Sequence, residues 1–130
     1  MNAVRYYSRS GNTKILAEAI AKAAGTAAVS VDAANAAISE PVGVLFVGGA
    51  LYAYGLDKHL KSWLADLDGT KVRKAVVFST SWLSKHSVDL IRSALQAKGI
   101  AVETEYIYAK NKPNADDLKK AAEVVRKVIA

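Results

Sequence analysis

The segment Val42 to Val47 reads Val-Gly-Val-Leu-Phe-Val, with no polar residue in it. A strand with one wet face alternates apolar and polar side chains, so an unbroken apolar run describes a strand covered on both faces, as in the middle of a parallel α/β sheet. The rest of the chain is consistent with that position. Apolar runs of strand length alternate with segments of helical period, giving five βα units.

Ala3 to Tyr7 is the first strand. The helix after it carries Ile15, Leu16, Ala19, Ile20 and Ala23 on one stripe and stops at Gly25, a residue suited to the left-handed turn that ends helices. Ala27 to Val31 is the second strand, and the Ala-rich Asp32 to Ile38 a short second helix. Asp57 is placed to cap a third helix, with Leu60, Trp63, Leu64 and Leu67 on its core stripe and Asp68-Gly69 at its end. Lys74 to Ser79 is the fourth strand. Ser84 or Ser87 opens a fourth helix, with Val88, Ile91 and Leu95 inward and Gly99 behind it. Ala101 to Tyr108 is the fifth strand. Asn114 and Asp117 form a capping box ahead of a last helix bearing Leu118, Val125, Val128 and Ile129. Arg5 is out of keeping with a central strand and is expected at its exposed beginning.

Composition narrows the function classes. A chain of 130 residues, 52% hydrophobic, supports one domain spanning residues 1–130. It has no cysteine, which removes disulfides, thiolate metal sites and Cys-nucleophile chemistry, including the phosphatases that also cradle phosphate in a loop. The longest uncharged run, Pro41 to Leu56, is interrupted by Gly43, Gly48, Gly49 and Gly55 and falls short of the roughly 18 residues of a membrane span. No membrane span is expected, and without an apolar leader a cytoplasmic location is. The net charge of +6 invites a nucleic-acid reading, but its sources (Lys58, Lys61, Lys71, Arg73, Lys74, Lys98, Lys119, Lys120, Arg126, Lys127) are scattered, mostly over outward helix faces, and read first as a solvated surface; an acidic protein partner is the alternative, and nucleic acid is not expected. His59 and His86 read as surface residues without a metal-ligand set.

Ligands of a doubly wound sheet sit beyond the C-terminal ends of the strands, where the winding reverses. The loops after the first, third and fourth strands are therefore the candidates. The first is Ser8-Arg9-Ser10-Gly11-Asn12-Thr13: hydroxyls and a glycine, opening a helix whose first N–H groups can point at an oxyanion. The second runs from Gly48 to Gly55 and carries Tyr52 and Tyr54; the third, Ser79 to Ser84, carries Thr80, Ser81 and Trp82. A phosphate pocket flanked by two aromatic loops suits a phosphorylated planar ring system, although loop aromatics can also fold onto the core.

Tyr6-Tyr7-Ser8-Arg9-Ser10-Gly11-Asn12-Thr13, the five βα units and the aromatic loops together resemble a short-chain flavodoxin over essentially the whole chain. The resemblance implies a flavodoxin-like three-layer sandwich, with a five-stranded parallel sheet of order 2-1-3-4-5 and helices on both faces. It implies FMN as cofactor and one-electron transfer between redox partner proteins. Ser8, Ser10, Asn12 and Thr13 would then meet the phosphate, with Gly11 permitting the turn and Arg9 at an open position. Tyr52 or Tyr54 would cover one face of the ring and Trp82 the other, while backbone near Gly55, Thr80 and Ser81 meets its polar edge. A peptide near Gly55, Gly48 or Gly49 is a candidate to reorient on reduction.

The basic charge departs from that family's usual acidity. The candidate loops offer Asp57 alone against Arg9, Lys58 and Lys85, which predicts a less negative potential for the second one-electron step, where the flavin becomes anionic. Two other uses of such a chain are a small FMN-dependent oxidoreductase acting on a quinone or porphyrin precursor, which needs a second substrate site, and a flavin-free binding domain.

Overall fold

The computed structural model describes residues 1–52, 55–81 and 86–129. Its elements are β1 (Asn2–Tyr6), α1 (Asn12–Ala24), β2 (Ala28–Ser30), β3 (Val42–Gly49), β4 (Leu51–Tyr52), β5 (Gly55–Leu56), α2 (Lys58–Asp66), β6 (Val72–Ser81), α3 (His86–Gln96), β7 (Ala101–Val102), β8 (Ile107–Lys110) and α4 (Ala115–Ile129). The main sheet runs β2-β1-β3-β6, with β7 and β8 sharing the next position, and its pairings are all parallel. That is the expected order with its fifth strand in two pieces.

The central run behaves as its composition requires. Val44, Leu45, Phe46 and Val47 are all buried, and alternate residues feed two separate cores. Val4, Tyr6, Phe46, Val76 and Phe78 pack under α1 and α4, through Leu16, Ile20, Ala121 and Val125. Ala3, Leu45, Val47, Ala75 and Val77 pack under α2 and α3, through Leu60, Leu64, Ile91 and Leu95. Each fully buried Leu, Ile or Val contributes roughly 1.5–3 kcal/mol over leaving it in water.

The helix ends follow their residues. Gly25 adopts φ 71° and its N–H closes onto Ala21 and Lys22 carbonyls. Asp57 caps α2 by accepting from the His59 N–H, and Asn114 and Asp117 exchange hydrogen bonds at 3.0 and 2.8 Å. Ser87 is no cap, however; it lies inside α3 with a buried hydroxyl. Ser84 is outside the described residues.

Three expectations are corrected. Residues Asp32 to Ile38 form turns and no helix. Local bonds from Ala33 N–H to Ser30 and from Ala36 N–H to Ala33 start tight turns, and the Ala36 carbonyl that a helix would use accepts instead from Arg5 Nε (2.7 Å) and Trp63 Nε1 (3.1 Å). Arg5 is the fourth residue of β1, paired with Val29 and Val47 on either side, rather than at the strand's beginning. Its half-buried guanidinium, held below its ordinary pKa by burial, fastens that turn segment to β1. The fifth strand breaks between Val102 and Ile107, where Arg92 binds the Thr104 carbonyl and lies over the Tyr106 ring, then continues past Tyr108 to Lys110.

Candidate functional site

The first loop leaves β1 at Tyr7, whose N–H donates to the Gly48 carbonyl at 3.2 Å. The chain then turns on Gly11, whose N–H donates to Ser8 Oγ at 3.0 Å and whose φ of 94° would strain any L side chain. Gly11 is also the N-cap of α1, with no side chain capping it, so the first-turn N–H groups lack intrahelical partners. Asn12 N–H only leans on Ser10 Oγ, at 3.5 Å. The first turns of α1 and α2 contain no acidic residue, whereas α3 has Asp89 and α4 has Asp116 and Asp117 there.

Two contacts tie this mouth to neighbouring strands. Thr13 and Thr80, both buried, share a hydroxyl–hydroxyl hydrogen bond of 2.6 Å. Asn12 Nδ2 donates to Asn111 Oδ1 at 3.2 Å, and Asn111, at φ 62°, donates its N–H to the Ser81 carbonyl. The same carbonyl accepts from the Tyr108 hydroxyl at 2.9 Å. Both lone pairs of Ser81 O are thus engaged.

The second loop is shorter than its glycines suggest, because β3 extends through Gly49. A Cβ on Gly48 would lie 2.1 Å from the Phe78 ring, and one on Gly49 would lie 2.5 Å from Leu60 Cδ2. Their carbonyls accept from Tyr7 N–H and from Ser79 Oγ at 2.6 Å. These two glycines permit close packing of a pinned strand and are not candidates for a peptide that turns over. β4 and β5 pair antiparallel, Leu51 with Leu56 and Tyr52 with Gly55, and Gly55 alone of the three glycines has open space around it. The side chain of Tyr52 and the whole of Tyr54 lie outside the described residues. So does Trp82, in the third loop.

That third loop is held at its root. β6 continues to Ser81, and Ser79 Oγ, besides binding Gly49, meets Ser87 Oγ at 2.5 Å. Ser79 therefore looks toward α3 while Thr80 looks toward α1, as neighbours on a strand must.

Sequence reasoning missed a cluster joining the first two loops. Arg9 donates through Nε (3.2 Å) and Nη2 (2.8 Å) to Oδ2 of Asp57, whose side chain is 3% exposed. Oδ1 of Asp57 accepts from His59 N–H at 2.7 Å and lies 2.8 Å from His59 Nδ1. Burial raises the pKa of Asp57, but the bonds from the His59 backbone, Arg9 and the His59 ring outweigh it and hold the carboxyl below its usual range. The His59 ring stacks on Tyr7 at 4.7 Å and 12°, which gives this apparent surface residue a place at the site. The spacing of Asp57 and His59 at the start of an expected helix was the available signal; Arg9, 48 residues upstream of Asp57, offered none.

Among the described residues no group of His, Asp and Glu could hold a metal ion, and no helix is long and apolar enough to cross a membrane. Comparison by structure identifies the architecture as the flavodoxin fold. A flavodoxin from the domain Archaea superimposes with a TM-score of 0.76 at 20% identity, covering 100% of each chain. Oxidised flavodoxin 1 from Bacillus cereus gives 0.79 at 20% identity, covering 98% of this chain and 96% of that one. Rubredoxin oxygen:oxidoreductase from Desulfovibrio gigas gives 0.80 at 17% identity; the match covers 99% of this chain but only 37% of that protein. No family profile and no curated protein sequence matches the chain.

Proposed function

We propose that this chain binds FMN and carries electrons one at a time between partner proteins. The observation that carries the reading is the mouth of α1: a left-handed Gly11, flanking Ser8 and Ser10 hydroxyls, a buried Thr13, and a first turn free of carboxylates, at the point where the sheet reverses its winding. Neutral donors around a helix N-terminus suit a phosphate monoester. Ser8, Ser10, Asn12 and Thr13 would hold it, with Gly11 making the turn. Tyr52 or Tyr54 would cover one face of the ring and Trp82, from the other adjoining loop, the opposite face. Backbone near Gly55 and at Thr80 and Ser81 would meet the polar edge of the ring, the Ser81 carbonyl itself being engaged by Asn111 and Tyr108. The flavin, when bound, supplies the redox chemistry; the chain supplies binding, orientation and electrostatic tuning. A net charge of +6 favours acidic partners, and the cytoplasm is the proposed location.

The experiment is an FMN titration followed by quenching of flavin fluorescence, repeated with Trp82→Ala and Thr13→Ala. Lost quenching in the first and weaker binding in the second are expected; an unchanged flavin signal on adding wild-type chain refutes the reading. A second reading, a flavin module working within a larger oxidoreductase, draws on the D. gigas match, which is much longer than this chain. NAD(P)H or quinone turnover by the isolated chain would favour an enzyme over a carrier.

A further inference from the structure

We infer that Arg9 is a positioning residue rather than a phosphate ligand: with Asp57 it forms a latch that sets the spacing between the loop taking the phosphate and the hairpin taking the ring. The inference rests on the FMN reading above and assigns a division of labour within that site.

Arg9 stands in the middle of the phosphate-binding loop and carries its formal charge, which would make it the obvious ligand for a dianion. Its geometry points the other way. Nε and Nη2 converge on one oxygen of Asp57, and that carboxylate is buried. Turning Arg9 toward a phosphate would strip Oδ2 of both donors and leave half of a buried carboxylate uncompensated, the costly case for a buried ion. Asp57 is equally committed, since its other oxygen is occupied by the His59 N–H and lies against the His59 ring. The loop then contributes neutral donors to the phosphate, and the positive charge beside them is largely cancelled.

The latch joins two loops that are far apart in sequence. Arg9 belongs to the turn between β1 and α1; Asp57 follows the β4–β5 hairpin immediately and caps α2. Tyr7 stacked on His59 makes a second tie between the same two elements, so Ser8 is bracketed by anchored neighbours. A ligand whose phosphate and ring occupy different loops binds best when the distance between them is fixed beforehand. Arg9 therefore acts on the whole ligand, through Asp57, and not on the phosphate alone.

The test is a double-mutant cycle on the full chain, with wild type, R9Q, D57N and R9Q/D57N each titrated with FMN and with riboflavin, and ligand-free melting points measured in parallel. Asn at 57 keeps the helix cap and removes the charge. The latch predicts that each single change weakens both flavins by the same factor, roughly tenfold, so that the FMN-to-riboflavin affinity ratio stays at its wild-type value. The double variant should bind no worse than the poorer single one. R9K, which keeps the charge but lacks the two-nitrogen grip, should recover only part of the loss. Loss of FMN affinity alone in R9Q, with riboflavin binding intact, would make Arg9 a phosphate ligand and overturn the proposal. Additive losses in the double variant, or unchanged binding in R9Q, would also overturn it. Should D57N fail to fold, R9Q decides by the same ratio, since its side chain is 56% exposed. A wild-type chain that binds neither flavin defeats the FMN reading at the first titration and the positioning role with it; coupled melting-point losses would then retain only a structural tie.

Discussion

The hydroxyl pair Thr13–Thr80 allows stability and ligand binding to be separated in one experiment. Both residues are buried, 1% and 3% exposed, and their oxygens are 2.6 Å apart. Thr13→Val preserves the shape but leaves the Thr80 hydroxyl buried without its partner, at a cost of about 1–3 kcal/mol; Thr80→Val does the same in reverse. Replacing both removes both polar groups and should be nearly neutral. Urea unfolding reads the difference: with about 2 kcal/mol per single variant and a slope of about 2 kcal/mol per molar for a chain of this size, each midpoint should fall by roughly 1 M while that of the double variant stays near wild type. The double variant should nevertheless bind FMN roughly tenfold or more weakly, because the Thr13 hydroxyl is among the donors assigned to the phosphate and a hydrogen bond to a charged group contributes about 1.5–3 kcal/mol. Additive losses in the double variant would refute the buried-pair argument. Wild-type FMN affinity in it would refute the role given to Thr13.

Gly48→Ala should cost about 3 kcal/mol or more, seen as a large fall in melting temperature, because its Cβ would sit 2.1 Å from a Phe78 ring that is itself fully buried in the core under α1 and α4. Asp57 makes stability pH-dependent: its carboxyl pKa is lowered on folding, so its contribution is present above the unfolded carboxyl value and is lost as pH falls through the lower folded value. Acid unfolding followed by circular dichroism should be less steep at that end in D57N than in wild type. If the chain binds FMN as proposed, Arg9 and Asp57 largely cancel and the exposed Lys58 adds positive field at an anionic reduced flavin. The second one-electron potential should therefore become more negative as salt screens this charge, and a potential independent of ionic strength would contradict this.

What the sequence disclosed and what it concealed divide along physical lines. The central strand, the α1 stripe, Gly25 and the Asn114–Asp117 box were legible because each is a local pattern with one stable outcome. Asp32 to Ile38 was read as helix because alanine favours it, yet the Ala36 carbonyl is claimed by Arg5 and Trp63, which are distant in sequence. Gly48 and Gly49 looked like loop and are strand, since the reason for glycine there is Phe78 and Leu60 across the packing, which no local window contains. The site divides in the same way. Ser8 to Thr13 announced an anion pocket by composition, whereas the Arg9–Asp57–His59 cluster joins two loops that only the folded sheet brings together.

The most direct test of the central claim is an amide NMR titration of labelled chain with FMN and then with riboflavin. The account predicts that FMN shifts the amides of Ser8 to Lys14 most strongly at the phosphate end, along with those of the hairpin and the Trp82 loop, while riboflavin shifts the latter two and barely moves Ser10 to Lys14. FMN perturbations that avoid the start of α1, or that riboflavin reproduces there in full, would contradict it.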